Sequence, residues 1–245
     1  MATTAIPKTK ISGGSFLLEE RQTADVFTPE DFSEQHQMIG QTTEEFAVNE
    51  ILPNVEKIEH KDFSVSRDLL KKAGELGLSG VEIPEAYGGL EMDKVTSAVI
   101  ADHIAKYAGF ATTWGAHSGI GLLPIVYFGT EAQKQKYLPK LATGEIVGAY
   151  ALSEASSGSD ALNCRARAEL SADGKHYILN GEKMWITNAG FADLFTVFAK
   201  IGDKFSAFLV ERTFPGFSVG AEEHKMGIRG SSTCPIILND CKVPV

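Results

Sequence analysis

The spacing of apolar residues changes at one point in the chain, near Gly144, and that change limits the fold more than any other feature. Before it, apolar side chains recur at helical intervals. Phe32, Ile39 and Phe46 stand seven apart, Leu69, Leu70, Ala73 and Leu76 form a second stripe, and Val95, Ala98, Val99 and Ile104 a third. Stripes of this kind belong to helices that bury one face. Their ends are marked as well. Thr28-Pro29-Glu30-Asp31 offers a cap, a proline at the first helical position and acids in the first turn, and Pro53 stops that run. Gly77 ends the second stripe. Thr130-Glu-Ala-Gln133 reads as a capping box opening a short helix through Tyr137 and Leu138. Pro84-Glu-Ala-Tyr-Gly-Gly89 is a loop rich in breakers.

After Gly144 the period is two. Arg165 to Leu170 alternates, Asp173-Gly174 is a turn, and His176 to Leu179 is a strand. Asn180-Gly181 carries a hairpin signal that would return the chain through Lys183 to Thr187. Asp193 to Lys200 and Lys204 to Glu211 pair across Gly202-Asp203, and Cys234 to Leu238 forms a last strand before Asn239-Asp240. The expected architecture is α+β: an extended segment over 1–27, an all-α helical domain over 28–144, and an antiparallel, barrel-like β-domain over 145–245.

Composition removes several classes of function. At 245 residues, 43% hydrophobic and 22% charged, the chain can bury a sizeable core. A net charge of −9 opposes nucleic acid, whose phosphates it would repel. Cys164, Cys234 and Cys241 are too few and too irregularly spaced for a disulfide framework or a zinc site, so they read as reduced thiols, with no metal expected. No apolar run reaches the length of a transmembrane segment. The first sixteen residues have neither the apolar stretch of a signal peptide nor the composition of a transit peptide. A cytoplasmic protein is the expectation.

Two segments concentrate polar chemistry. Tyr150-Ala-Leu-Ser-Glu-Ala-Ser-Ser-Gly-Ser-Asp160 packs four hydroxyls, two carboxylates and a glycine into a turn that leaves the apolar run Ile146–Leu152. Lys183-Met-Trp-Ile-Thr-Asn188 sets Trp185 and Thr187 two positions apart on a strand, hence on one face. An aromatic plate beside a hydroxyl suits a flat heterocycle with polar edge atoms. Blander alternatives stand beside this: Trp185 as a core aromatic of a β-domain, and the serines as an ordinary turn. His117, on an apolar face beside Trp114, reads as a satisfied interior histidine rather than a base. Lys134, Lys136 and Lys140 read as a solvated helix face.

These segments, in order with Pro84–Gly89, Gly129–Leu138, Asn180–Asn188 and Lys225-Met-Gly-Ile-Arg229, resemble the acyl-CoA dehydrogenase family over nearly the whole chain. Gly13-Gly-Ser-Phe16, Trp114-Gly-Ala-His117 and Ala192–Lys200 look most like its long and very-long-chain branch. The resemblance implies FAD as cofactor and α,β-desaturation of a fatty acyl-CoA thioester, as in fatty acid β-oxidation. It implies an electron-transfer flavoprotein as acceptor, and a homo-oligomer at full length. It assigns Tyr150, Ala151, Leu152, Ser153, Glu154, Ala155, Ser156, Ser157, Gly158 and Ser159 to the flavin, with Ser159 also reaching the acyl-CoA. Ser153 stands where many members carry threonine. Trp185, Ile186 and Thr187 complete the flavin set, Thr187 near N5. The resemblance also implies that the catalytic base lies beyond Val245, so residues 1–245 are expected to be a front part without activity of their own. A flavin oxidase or monooxygenase on the same fold, or a non-catalytic scaffold, remain alternatives. Finally, Thr112–Gly121 lies where the family places a helix beside the acyl tail. Its small residues Gly115, Ala116, Gly119 and Gly121 fit either a ligand tunnel or tight helix packing.

Overall fold

The computed structural model describes residues 17–20, 22 and 26–245. The Gly13–Phe16 motif and most of the segment 1–27 lie outside the described residues. The first long helix, α1 (Glu34–Phe46), is capped by Ser33 and not by Thr28. Ser33 Oγ accepts from the His36 amide at 3.2 Å, and His36 Nδ1 accepts from the Ser33 amide at 3.3 Å. Thr28 instead opens a separate 3-10 turn over Pro29–Asp31. Two cap sequences stand five residues apart, and the one nearer the apolar stripe starts the helix. A π-turn (Ala47–Ile51) and a 3-10 turn holding Pro53 lead into α2 (Val55–Glu59). Helix α3 (Phe63–Glu75) ends at Gly77, whose φ of +76° glycine adopts without strain.

Helix α4 (Lys94–Ile104) buries Thr96, Val99, Ile100 and Ile104, while Ala98 of the expected stripe faces solvent. Helix α5 (Ala108–Gly115) runs on as a π-turn over Ala116–Gly121. After α6 (Leu123–Phe128), α7 (Glu131–Ala142) opens on the expected capping box, with the Thr130 amide donating to Gln133 Oε1 at 2.9 Å.

The sheet follows from Gly148. Its strands are β1 (Gly148–Ala151), β2 (Arg167–Leu170), β3 (His176–Thr187), β4 (Leu194–Ile201), β5 (Lys204–Glu211), β6 (Phe217–Val219) and β7 (Thr233–Pro244). Their order is β1-β4-β2-β3-β7-β6, with β5 along the other edge of β4. The α+β arrangement is as expected, with one refinement: β1 and β2 both pair with β4 in parallel, so the curled sheet is mixed. The parallel partners are not consecutive: β2 and β3 intervene between β1 and β4, and β3 between β2 and β4, as parallel pairing without a tight turn requires.

The Asn180-Gly181 hairpin does not form. His176–Thr187 is one continuous strand pairing with β7 throughout, and the two residues mark a bulge. Gly181 takes φ +145°, and a Cβ there would lie 2.8 Å from Ala166. Asn180 is consumed by the neighbouring strand: its Nδ2 donates to Asp240 Oδ1 at 3.0 Å, and its Oδ1 accepts from the Asp240 amide at 2.8 Å. The local turn signal lost to nine residue pairs of ladder between this strand and β7.

One continuous core joins the two halves, from Phe46, Leu70 and Phe110 through Val147 and Ala149 to Phe195 and Val197. At the junction the π-turn after α5 touches β1 through two glycines. A Cβ on Gly121 would sit 2.7 Å from the Ala116 oxygen and 3.0 Å from the Gly148 carbonyl carbon, whereas one on Gly119 meets nothing within 4 Å. The two readings of the small-residue segment therefore divide between positions: Gly121 serves packing, and Gly115 and Gly119 border open space. Gly121→Ala should lower stability by about 1–3 kcal/mol through overpacking. Gly119→Ala should be neutral or stabilising by up to about 1 kcal/mol, since it removes a flexible residue from a helix. Paired urea titrations check this, and equal effects of the two substitutions would contradict it.

Candidate functional site

Two strand ends build the site. At the end of β1 the chain passes through Leu152 and Ser153, and β3 runs alongside, with the Met184 amide donating to Ser153 O at 2.9 Å. A second bulge in β3 falls between Lys183 and Ile186. Within it Trp185 takes φ +59° and leaves 54% of its surface exposed. A bulky residue in left-handed backbone is uncommon and unfavourable, and such strain collects where a side chain must be aimed at something. The indole is thus not core. It stands beside a concavity of about 180 Å³ lined by Ala116, Ile120, Tyr150, Leu152, Ser153, Met184, Trp185, Ile186 and Thr187.

Of the residues singled out in the sequence, Tyr150, Leu152, Ser153, Trp185, Ile186 and Thr187 are brought together there. The other seven are not in its lining. Ala151 points into the core. Ala155, Ser156, Gly158 and Ser159 are exposed along the turn, and Ser157 is buried, its Oγ donating to Asp160 O at 2.8 Å. Glu154 turns inward. It accepts from the Arg165 and Ala166 amides at 2.6 and 3.0 Å and from Lys183 Nζ at 2.8 Å. Burial alone would raise its carboxyl, but Lys183 and the two amides outweigh that and hold it below the usual carboxylate value. Sequence reasoning missed Ile120, Met184 and Lys183. Lys183 carries no local signal: it lies in a strand that alternates buried with exposed positions, and the carboxylate its buried ammonium requires stands 29 residues upstream.

The site's imidazole neighbour, His117, is wholly buried in the π-turn. Its Nε2 donates to Leu141 O at 3.0 Å, and its Nδ1 accepts from the Gly148 amide at 3.0 Å. Both nitrogens are consumed by a neutral ring, as expected of an interior histidine, and burial pushes its pKa down to about 4. A larger groove of about 600 Å³ adjoins the site at Tyr150. Its walls include Phe128, Phe198 and Phe205, with Thr196 Oγ1 a buried hydroxyl lacking a partner. The smaller concavity, where a strained indole meets the Ser153 and Thr187 hydroxyls, is the one with converging polar chemistry.

Comparison with known proteins gives this geometry its family. Residues 33–145 match the acyl-CoA dehydrogenase N-terminal domain and residues 149–241 the acyl-CoA dehydrogenase middle domain. A probable acyl-CoA dehydrogenase of Bacillus subtilis is 54% identical over 233 residues, which is 95% of this chain and 39% of that protein. The mitochondrial very long-chain specific acyl-CoA dehydrogenase of Rattus norvegicus is 42% identical over 74% of this chain and 29% of its own length. A crystal structure of an acyl-CoA dehydrogenase complexed with FAD from Bacillus anthracis superposes with a TM-score of 0.93 at 58% identity, over 96% of this chain and 40% of that one. The chain belongs to the acyl-CoA dehydrogenase family. It spans about two fifths or less of the length of these relatives.

His117 generates a pH prediction. Its folded value, about 4, lies below the unfolded value near 6.5. Its contribution is therefore complete above pH 6.5 and is lost as the pH falls toward 4, because the unfolded chain binds the proton first. The stability advantage of the parent over His117→Gln should shrink by up to about 3 kcal/mol between roughly pH 7.5 and 4. Urea titrations at several pH values measure it, and a constant difference would contradict the assignment.

Proposed function

We propose that this chain supplies the flavin-facing and acyl-facing surfaces of an FAD-dependent acyl-CoA dehydrogenase that desaturates fatty acyl-CoA thioesters between Cα and Cβ, in the setting of fatty acid β-oxidation. The observation that carries the reading is Trp185, held exposed at φ +59° across from Ser153 in a family member. The fit to a flavin rests on chemistry: a planar indole, three hydroxyls and the end of a strand border one shallow space, suited to a planar ring with polar edges. Tyr150, Leu152 and Ser153 would hold one side of the ring, and Trp185, Ile186 and Thr187 the other. The turn Ala155–Ser159, exposed except at Ser157, would run along the rest of the cofactor, with Ser159 reaching the acyl-CoA. Bound FAD would accept a hydride from Cβ at N5, and the protein's part is to orient and tune it.

The chain's own residues define what else the reaction needs. Among the described residues, no carboxylate or imidazole lines the concavity. Glu154 is committed to Lys183, and both nitrogens of His117 are taken. A base for the α-proton must therefore come from groups other than these. We assign electron delivery to an electron-transfer flavoprotein, and location to the cytoplasm; three free, buried cysteines suit such a reducing compartment.

Purified in the full form its gene encodes, the protein should carry FAD. Thr187→Ala should weaken retention or slow reduction by a graded amount, about 0.5–1.5 kcal/mol for one neutral hydrogen bond, and Trp185→Ala should do more. A colourless parent that takes up no FAD on reconstitution would sink the reading. Acyl length is a second test. The small side chain of Ala116 on the site wall supports a long acyl tail, whereas Gly115 and Gly119 border a separate recess with Glu82 and Ser97. Each fitted methylene adds up to about 0.8 kcal/mol, so kcat/KM should peak at C14 or longer. Ala116→Glu should shorten the optimum, and a parent optimum at C4–C8 would discard the long-chain assignment.

A further inference from the structure

Beneath the concavity lies an ion pair that touches none of its open space. Lys183 has no exposed surface and Glu154 only 5%. Lys183 Nζ donates to Glu154 Oε1 at 2.8 Å and to Leu152 O at 3.1 Å. Glu154 in turn gathers the Arg165 and Ala166 amides where the chain enters β2. Three segments are thus tied at one point: the turn after β1, the approach to β2, and β3 at the edge of its bulge.

The ties are placed where the site's dimensions are set. Leu152 O is taken by the Lys183 side chain, and Ser153 O by the Met184 backbone. Leu152 and Ser153 form one wall of the concavity, and Met184 and Trp185 the other. The ammonium sits at the last regular position of β3 before Trp185 turns left-handed. A pair of charges inside a β-domain core is weakly justified as a stabiliser, because desolvation offsets most of its attraction and an apolar pair of similar volume often does as well. What an apolar pair cannot do is hold the Leu152 carbonyl or gather the two amides.

We propose that Lys183 and Glu154 are a positioning pair, which fixes the gap between Ser153 and Trp185 and so orders the proposed flavin site without touching its ligand. The proposal rests on the functional reading above. It extends it by assigning a role to two residues that lie outside the lining of the concavity, and it predicts effects in flavin-free protein as well.

The test compares the parent, Glu154→Gln and the double variant Lys183→Met/Glu154→Gln. The double variant removes both charges together, so no lone charge is buried, and the introduced amide oxygen still offers an acceptor to the two backbone N–H groups. It should fold with a melting temperature close to that of the parent. In the flavin-free form its exposed tryptophan should change accessibility to acrylamide, a readout of Trp185 because Trp114 is buried. Its dissociation constant for FAD should rise at least tenfold, and the visible band of bound flavin should change shape. Glu154→Gln keeps the tie to Leu152 O but leaves the ammonium unpaired, so its bound-flavin spectrum should become pH-dependent within the folded range, whereas the parent's should not. This second variant also serves if the double variant fails to fold. Parent-like quenching, FAD affinity and spectrum in a folded variant would reduce the pair to a structural role and overturn the proposal. A parent that binds no FAD would overturn the functional reading itself, whereas the quenching result speaks to the positioning role alone.

Discussion

A tryptophan in left-handed backbone with half its surface in water is a local arrangement that the chain would abandon if left to itself. It persists because both flanks are fixed. On one side Lys183 is locked into the core by Glu154 and Leu152 O. On the other, Ile186 and Thr187 resume the ladder with Cys234 and Thr233 of β7. Just beyond, Asn188 is again left-handed, at φ +68°, with its Nδ2 donating to Thr113 O at 2.9 Å. Asparagine accepts that conformation readily; tryptophan does not. Two left-handed residues three apart bend the strand end over the helical half, and the surrounding bonds leave the backbone no cheaper alternative.

The site also depends on how the helices meet the sheet. Asn188 reaches α5, His117 bridges α7 and β1, and Gly121 lies against Gly148. All three contacts lie within a few residues of the concavity and none lines it. They hold Ala116 and Ile120, from the helical half, against Trp185 and Thr187, from the sheet. Because the close approach of two glycines leaves no room for adjustment, the helical and sheet walls of the site are fixed relative to each other by backbone packing, not by flexible side chains.

Much of this was legible in the sequence, for identifiable reasons. The change of period near Gly144 separates helices from strands because side-chain periodicity is a direct consequence of backbone geometry. The Thr130 capping box and the Gly77 stop were readable because each depends on residues within a few positions. Three features were not. The Ser33 cap competed with an equally good Thr28 sequence. Asn180-Gly181 carried a strong local turn signal that long-range pairing to β7 overrode, turning it into a bulge. The inward turn of Glu154 depends on a lysine 29 residues away, which no local pattern reveals. In the candidate site, the walls were legible and what supports them was not.

That division has a chemical consequence. The polar groups lining the concavity are the hydroxyls of Tyr150, Ser153 and Thr187 and the indole N–H of Trp185, and none of these ionises near neutral pH. Burial raises the Tyr150 phenol further still. The nearby groups that do carry charge, Lys183 and Glu154, are sealed together below the surface, and His117 is kept neutral by burial. The groups lining the concavity are therefore suited to hold, orient and hydrogen-bond a ligand rather than to take up a proton near neutral pH. In the proposed reaction proton transfer and hydride transfer are separate tasks. Under the proposed reading the concavity suits the task of holding a hydride acceptor still, and a steep pH dependence near neutrality would enter through groups other than those lining it.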